Sequence, residues 1–164
     1  AVLAKRLGMT VLSTTRSSAK EDALRRLGVD HVVVDDGGNV ARQARAIFSA
    51  GVDTALELIG TPTLPDTLRA VRVHGVVCFT GMLSNEWTVH DFYPIEYLPR
   101  GVRLTAYGGD ATDLPSAVLQ EFLDAVAAGQ AVVPIHRVYR LDQIAEAHAE
   151  MEAGRAAGKL VVVP

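Results

Sequence analysis

Cysteine is almost absent from this sequence: Cys78 is the single one in 164 residues. One thiol excludes an internal disulfide framework and any multi-cysteine zinc site. It accords with a reducing, cytoplasmic setting. Basic charge is not in excess either, with 16 Lys and Arg against 19 Asp and Glu and a formal net charge of −3. A nucleic-acid partner calls for a basic excess or stripe, so none is expected. No apolar run approaches the ~20 residues that spanning a bilayer requires. Neither a membrane partner nor a signal peptide is expected. No glycine triplet has G-x-G-x-x-G spacing, and no G-x-S-x-G elbow, Walker A loop or H-E-x-x-H occurs. The histidines His31, His74, His90, His136 and His148 form no ligand cluster with Cys78, so no metal is expected.

What is present is an ordinary globular composition, 49% hydrophobic and 21% charged. The length suits one domain, and such a chain buries roughly two thirds of its unfolded surface. The chain opens on Ala1, and residues 1–7 (AVLAKRL) read as the last turns of a helix closed by Gly8. So short a helix has no stable start of its own, so further chain is expected upstream.

Strands and helices then alternate. Residues 10–15 are β-rich. Ser18 and Glu21 have capping-box spacing and predict a helix with Ala23, Leu24 and Leu27 on one face, ended by Gly28. Residues 31–34 (HVVV) are a second strand, followed by a turn at Asp35-Asp36-Gly37-Gly38. Asn39 is placed to cap a helix with Val40, Ala44, Ile47 and Phe48 inward. A third strand is predicted at 54–59, a helical face at Leu64, Leu68 and Val71, and a fourth strand at 76–80 holding Cys78 as an inert core thiol. Residues 82–100 are irregular and hold Trp87, Phe92, Tyr93 and Tyr97. A fifth strand follows at 102–107, then a helix with Leu119, Phe122, Leu123 and Val126 inward. An extended stretch at 135–141 leads to a helix capped by Asp142, with Ile144, Ala147, His148 and Met151 on its packed face. A strand at 158–163 closes the chain.

This alternation predicts an α/β fold, a doubly wound and mostly parallel sheet of Rossmann-like type. Such sheets bind ligands at the carboxyl ends of their strands. The end of the first strand, Thr14-Thr15-Arg16-Ser17 with Lys20 a turn on, carries small hydroxyls and a cation and no acid. An acid there would select NAD through the ribose 2′-hydroxyl. Arg instead suits a 2′-phosphate through charge-assisted bonds, which argues for NADPH. The alternative is a solvated cation beside a helix start. Asp35 is either an adenine-side contact or a turn former. Gly60-Thr61 offers small residues where backbone can approach a ligand. Glu57, within the third strand, is a sheet-edge carboxylate or a satisfied buried acid, with no catalytic role. Thr80-Gly81-Met82-Leu83 is a nicotinamide-facing turn or an ordinary β-turn.

The stretch V-D-T-A-L-E-L-I-G followed by L-R-A-V-R-V-H-G-V-V-C-F-T-G, and the ending A-E-A-H-A-E-M-E-A-G-R-A-A-G-K-L-V-V-V, resemble the medium-chain dehydrogenase/reductase superfamily. The branch most resembled is the zinc-independent, zeta-crystallin-like quinone oxidoreductases. The resemblance implies NADPH-dependent reduction of a small quinone, enone or other activated carbonyl by direct hydride transfer, with protonation open to solvent. It implies cofactor contacts at Arg16, Ser17, Lys20, Asp35, Thr61, Thr80, Gly81, Met82, Leu83, Ala106 and Tyr107, with Lys159 a weaker candidate. It implies residues 1–130 as a partial dinucleotide-binding domain, and 131–164 as a segment returning to an N-terminal catalytic domain. The family's first Rossmann strand and glycine-rich turn have no counterpart here, which is expected to split the sheet and expose backbone groups. A homodimer through the 102–107 strand is implied as well. Two other readings remain: a non-catalytic dimerisation or binding module, and a fragment of a zinc-dependent alcohol dehydrogenase.

Overall fold

Strands and helices alternate from end to end in the computed structural model, which describes residues 1–164. The chain divides into two compact units. No helix is long and apolar enough to cross a membrane.

One unit comprises Leu12–Ser18 and Val32–Asp113. Its strands are β1 (Leu12–Thr15), β2 (His31–Val34, which begins at the unit's border), β3 (Val52–Glu57), β4 (Val71–Phe79) and β5 (Arg103–Ala106). Its helices are α3 (Val40–Ile47), α4 (Leu64–Ala70) and α5 (Pro94–Tyr97), following α1 (Val2–Arg6) and α2 (Glu21–Arg26) of the other unit. The order β3-β4-β5 is one sheet, and β1-β2 is another. The sheet is therefore split, with no ladder joining β1 to β3. Both ladders within the three-stranded sheet are parallel, pairing Ala55 with Val77, Glu57 with Phe79, and Phe79 with Ala106. Parallel neighbours need a crossover, and α4 supplies the one between β3 and β4.

The core of this unit follows from that crossover. Leu64 and Leu68 lie one turn apart on α4 and meet Val71 and Val77 of β4 and Val102, just before β5. Leu68 and Val77 are 0% exposed. Each such side chain contributes about 1.5–3 kcal/mol by burial. Beside this cluster, Ala41 and Ala44 of α3 pack on Ala70 and Leu12. Small side chains let α3 approach α4 closely. The start of β1 and the end of α4 thus share one cluster.

The second unit comprises Ala1–Val11, Ala19–His31 and Leu114–Pro164. It holds α1, α2, α6 (Ser116–Ala127), β6 (Ile135–Arg140), α7 (Ile144–Glu152) and β7 (Lys159–Val163). Lys5 Nζ donates to both carboxylate oxygens of Asp30 at 2.9 and 2.8 Å, and Asp30 also accepts the Val11 amide at 2.7 Å. The Lys5 hydrogen bond, then the Val11 amide, hold the Asp30 carboxyl below its ordinary pKa. β6 and β7 form their own parallel pair. Tyr139 of β6 is 1% exposed and donates its hydroxyl to Glu150 of α7. His136 Nε2 lies 2.8 Å from the other Glu150 oxygen. Those two bonds, Tyr139 first, lower the Glu150 pKa. Arg137 stacks 4.6 Å above the Tyr139 ring and pairs with Glu146 at 2.9 Å.

Several expectations need correction. The capping box at Ser18 and Glu21 does not form. Residues Ser18–Lys20 make a 3-10 turn and α2 begins at Glu21 with no side-chain cap. Asp142 likewise lies inside a 3-10 turn, and Gln143 precedes α7. Val71 starts β4 rather than ending a helix, and β3 ends at Glu57 rather than 59. Ile47 is 39% exposed, because the small Ala41 and Ala44 take the packed side of α3. Leu119 and Leu123 stay 43% and 49% exposed, since α6 buries Ala125 instead. His148 is exposed, because α7 turns Ala147 inward. Cys78 is half-buried in β4 rather than a sealed core thiol.

Candidate functional site

The carboxyl ends of β3, β4 and β5 are tied together by main-chain hydrogen bonds. The carbonyl of Glu57, the last residue of β3, accepts the amides of both Thr80 and Gly81 at 3.0 Å. The Phe79 carbonyl accepts the Tyr107 amide at 2.9 Å. Thr80, Gly81, Met82 and Leu83, together with Ala106 and Tyr107, are thereby brought to one end of one sheet. Thr61 joins them across the turn after β3. The Ile59 carbonyl accepts the Ser84 amide at 2.8 Å, and the Thr61 hydroxyl donates to the Glu86 carbonyl at 3.0 Å.

These turns fit against each other without room for a side chain. A Cβ at Gly81 would stand 2.0 Å from the Leu58 carbonyl oxygen, so only glycine fits there. A Cβ at Gly60, where φ is +131°, would meet the Ser84 hydroxyl at 2.5 Å. The amides of Thr61, Met82 and Leu83 donate to no group of the chain. They are free to meet a polar ligand.

Glu57, read from the sequence as a sheet-edge carboxylate or a satisfied buried acid, is the second of these. It is 3% exposed, the buried charged side chain of the core. Its Oε1 accepts the Ile59 amide at 2.8 Å, the Gly60 amide at 3.1 Å and the Thr63 hydroxyl at 2.9 Å. Its Oε2 accepts the Thr67 hydroxyl. Four donors and no ion pair surround it, which is how a buried acid is accommodated without a cation. The readable signal was an acid in an apolar strand followed by hydroxyls at Thr63 and Thr67. Nearby, the Tyr97 hydroxyl is buried with no partner. Burial raises the Tyr97 pKa, and the Glu57 charge adds to that rise while Arg69 opposes it.

At the end of β1, Thr15 Oγ1 accepts the Ser17 amide at 3.2 Å and donates to the Ser17 carbonyl at 3.2 Å. This tight turn carries Arg16 outward, exposed and with no hydrogen bond or ion pair to the chain. An unengaged guanidinium among hydroxyls is a donor set suited to a phosphate. Asp35, whose amide donates to the Thr15 carbonyl at 2.8 Å, follows β2. Its carboxylate accepts the amides of Gly37 at 3.1 Å and Gly38 at 3.0 Å, so it shapes its own turn. Beside it an open depression of about 480 Å³ is lined by Val34, Asp36, Asn39, Arg42, Gln43 and Ala46. Lys20 belongs to the other unit. Its ammonium donates to the carbonyls of Gly154 at 2.9 Å and Ala156 at 3.2 Å, so it anchors that loop. Beyond β5, Tyr107 donates to Asp113 at 3.3 Å and Asp113 accepts the Asp110 amide at 3.0 Å.

Comparison with known proteins bears on the fold and the family. The family described as zinc-binding dehydrogenase matches residues 27–162. The chain is 32% identical over 78 residues to a probable quinone oxidoreductase of Leishmania amazonensis, covering 48% of this chain and 23% of that protein. It is 28% identical over 171 residues to a 2-haloacrylate reductase of a Burkholderia species, covering 98% of this chain and 50% of that protein. The chain thus spans at most about half the length of these curated relatives. A mycobacterial structure solved in complex with NADPH superposes with a TM-score of 0.81 at 23% identity, over 99% of this chain and 52% of the other. At that identity it shows the fold alone.

The family's description names zinc, but no three His, Cys, Asp or Glu side chains here are grouped to hold a metal ion. These residues do not fit a zinc centre. The groups left without a partner at these strand ends are instead the Arg16 guanidinium and the amides of Thr61, Met82 and Leu83. The match across residues 27–162 and the parallel α/β fold establish that the chain belongs to the zinc-binding dehydrogenase family of the medium-chain dehydrogenase/reductase superfamily, in its quinone oxidoreductase branch, and corresponds to the C-terminal portion of such proteins.

Proposed function

We propose that this chain supplies the cofactor-binding part of an NADPH-dependent oxidoreductase that reduces a quinone, an enone or a related activated carbonyl. The observation that carries the reading is Arg16, an exposed guanidinium with no partner in the chain, on a hydroxyl-rich turn lacking an acid. In this reading Arg16 and the Ser17 side chain hold the 2′-phosphate, and Asp35 shapes the adenine-side turn. The amides of Thr61, Met82 and Leu83 hold the nicotinamide end, with Ala106 and Tyr107 on the substrate side. The cofactor, when bound, supplies a hydride. The chain's residues bind and orient it. Residues 1–130 serve the nucleotide and 131–164 return toward a catalytic domain. The 102–107 strand forms a homodimer contact; it is supported by β5 standing at the sheet edge with all its residues exposed.

The test is to titrate the purified protein with NADPH and with NADH, with sedimentation in parallel, and to follow loss of the reduced cofactor's absorbance with a panel of quinones and enones once an N-terminal catalytic domain is joined to it. A dimer that binds NADPH in preference to NADH, and oxidises it in the joined form, supports the reading. A dimer that binds neither nucleotide would make the chain an interaction module instead.

A further inference from the structure

The Glu57 carboxylate grips the 58–63 turn, while its main-chain carbonyl grips the 80–81 turn. Those two turns carry the free amides of Thr61, Met82 and Leu83. We propose that Glu57 is a positioning residue that fixes these two turns relative to each other, and that nucleotide affinity depends on this coupling. The proposal rests on the nicotinamide-nucleotide reading above.

The geometry distinguishes this role from simple stabilisation. A residue serving only the core needs no buried charge, because replacing a buried polar group and its partners by apolar groups of the same shape can be nearly neutral or stabilising. Glu57 instead spends every carboxylate bond on the turn after β3 and on the first turns of α4: Ile59, Gly60, Thr63 and Thr67. The same residue's carbonyl takes two amides of the turn after β4. The Ile59 carbonyl to Ser84 amide bond closes the ring between the turns. Moving the Glu57 backbone therefore moves both turns together. Loosening its side chain frees Ile59 and, through it, Ser84. What positions the turns is reach: one carboxylate spans from the Gly60 amide to the Thr67 hydroxyl. Glutamine has the same reach. Its carbonyl replaces Oε1, and its amide nitrogen donates to the Thr67 hydroxyl, which accepts as readily as it donates. Aspartate keeps the charge but is one methylene shorter and cannot span both.

The experiment compares wild type, Glu57→Gln and Glu57→Asp by amide hydrogen exchange without nucleotide, and by NADPH titration. In Glu57→Asp, exchange is expected to rise in both 58–63 and 80–86 while β6 is unchanged. NADPH affinity is expected to fall by about tenfold, the factor set by one lost hydrogen bond of roughly 1.4 kcal/mol. Glu57→Gln is expected to stay within about threefold of wild type, since it replaces every bond. Faster exchange in 58–63 alone, or a uniform rise over the whole chain, would overturn the coupling. Equal loss in both variants would overturn reach as its cause. Unchanged NADPH affinity in Glu57→Asp, with wild type binding normally, would overturn the Glu57 proposal and leave the cofactor reading standing. A wild-type protein that binds neither NADPH nor NADH would overturn both.

Discussion

Replacing Arg16 by alanine isolates the cofactor preference from the fold. Arg16 is exposed and makes no hydrogen bond or ion pair within the chain. Its removal breaks nothing internal, and an exposed substitution of this kind changes stability by no more than about 0.5 kcal/mol. With a 2′-phosphate bound, the guanidinium offers charge-assisted hydrogen bonds worth about 1–3 kcal/mol in total. That corresponds to a loss of roughly 5- to 150-fold in NADPH affinity. NADH has a 2′-hydroxyl in that place and its affinity is expected to stay unchanged. Because the contact is exposed, the NADPH effect should shrink as salt is raised. Isothermal titration of both nucleotides against wild type and Arg16→Ala, at low and high salt, reads all of this. Equal losses for NADPH and NADH would refute the 2′-phosphate role, as would no loss for either.

Leu68, 0% exposed at the centre of the α4 cluster, is expected to cost about 2–5 kcal/mol of stability when cut to alanine, read by denaturant unfolding. Tyr97→Phe removes a buried hydroxyl that has no partner, so stability should hold or rise by up to about 1 kcal/mol; a clear loss would reveal a partner for that hydroxyl. Acidification should loosen β6 from α7. The folded pKa of Glu150 lies below its ordinary value, so its contribution is present above the usual carboxylate range near ~4.3 and is lost as pH falls through the lower, folded pKa. Hydrogen exchange at Tyr139 should rise over that window in wild type. Glu150→Gln should flatten the dependence, and an identical slope in both would contradict the assignment.

Local punctuation made some elements legible to the residue. The β-branched run His31–Val34 lies between Gly28 and the Asp35 turn, and it is a strand with those bounds. The helix after Asn39 was readable as an element, but Asn39 makes no side-chain cap bond and its Oδ1 accepts from Gln43 instead. Where the sequence misled, a longer-range contact won. The Ser18 and Glu21 box lost to a turn closed by Thr15 Oγ1 on Ser17 and to Lys20 reaching the carbonyls of residues 154 and 156. Periodicity correctly marked Leu64, Leu68 and Val71 as buried, but it could not tell that the last belongs to a strand. It marked the apolar stripe of α6 and could not say whether anything covers Leu119 and Leu123. At the site, the candidate turns were visible as small residues at strand ends. Their mutual locking was not, because it depends on one carboxylate meeting hydroxyls six and ten residues ahead.

The most direct test of the central claim is a native mass spectrum of the purified protein with NADPH added, and separately with NADH. One NADPH retained per chain, in preference to NADH, is the predicted result. A protein that retains neither nucleotide would contradict it.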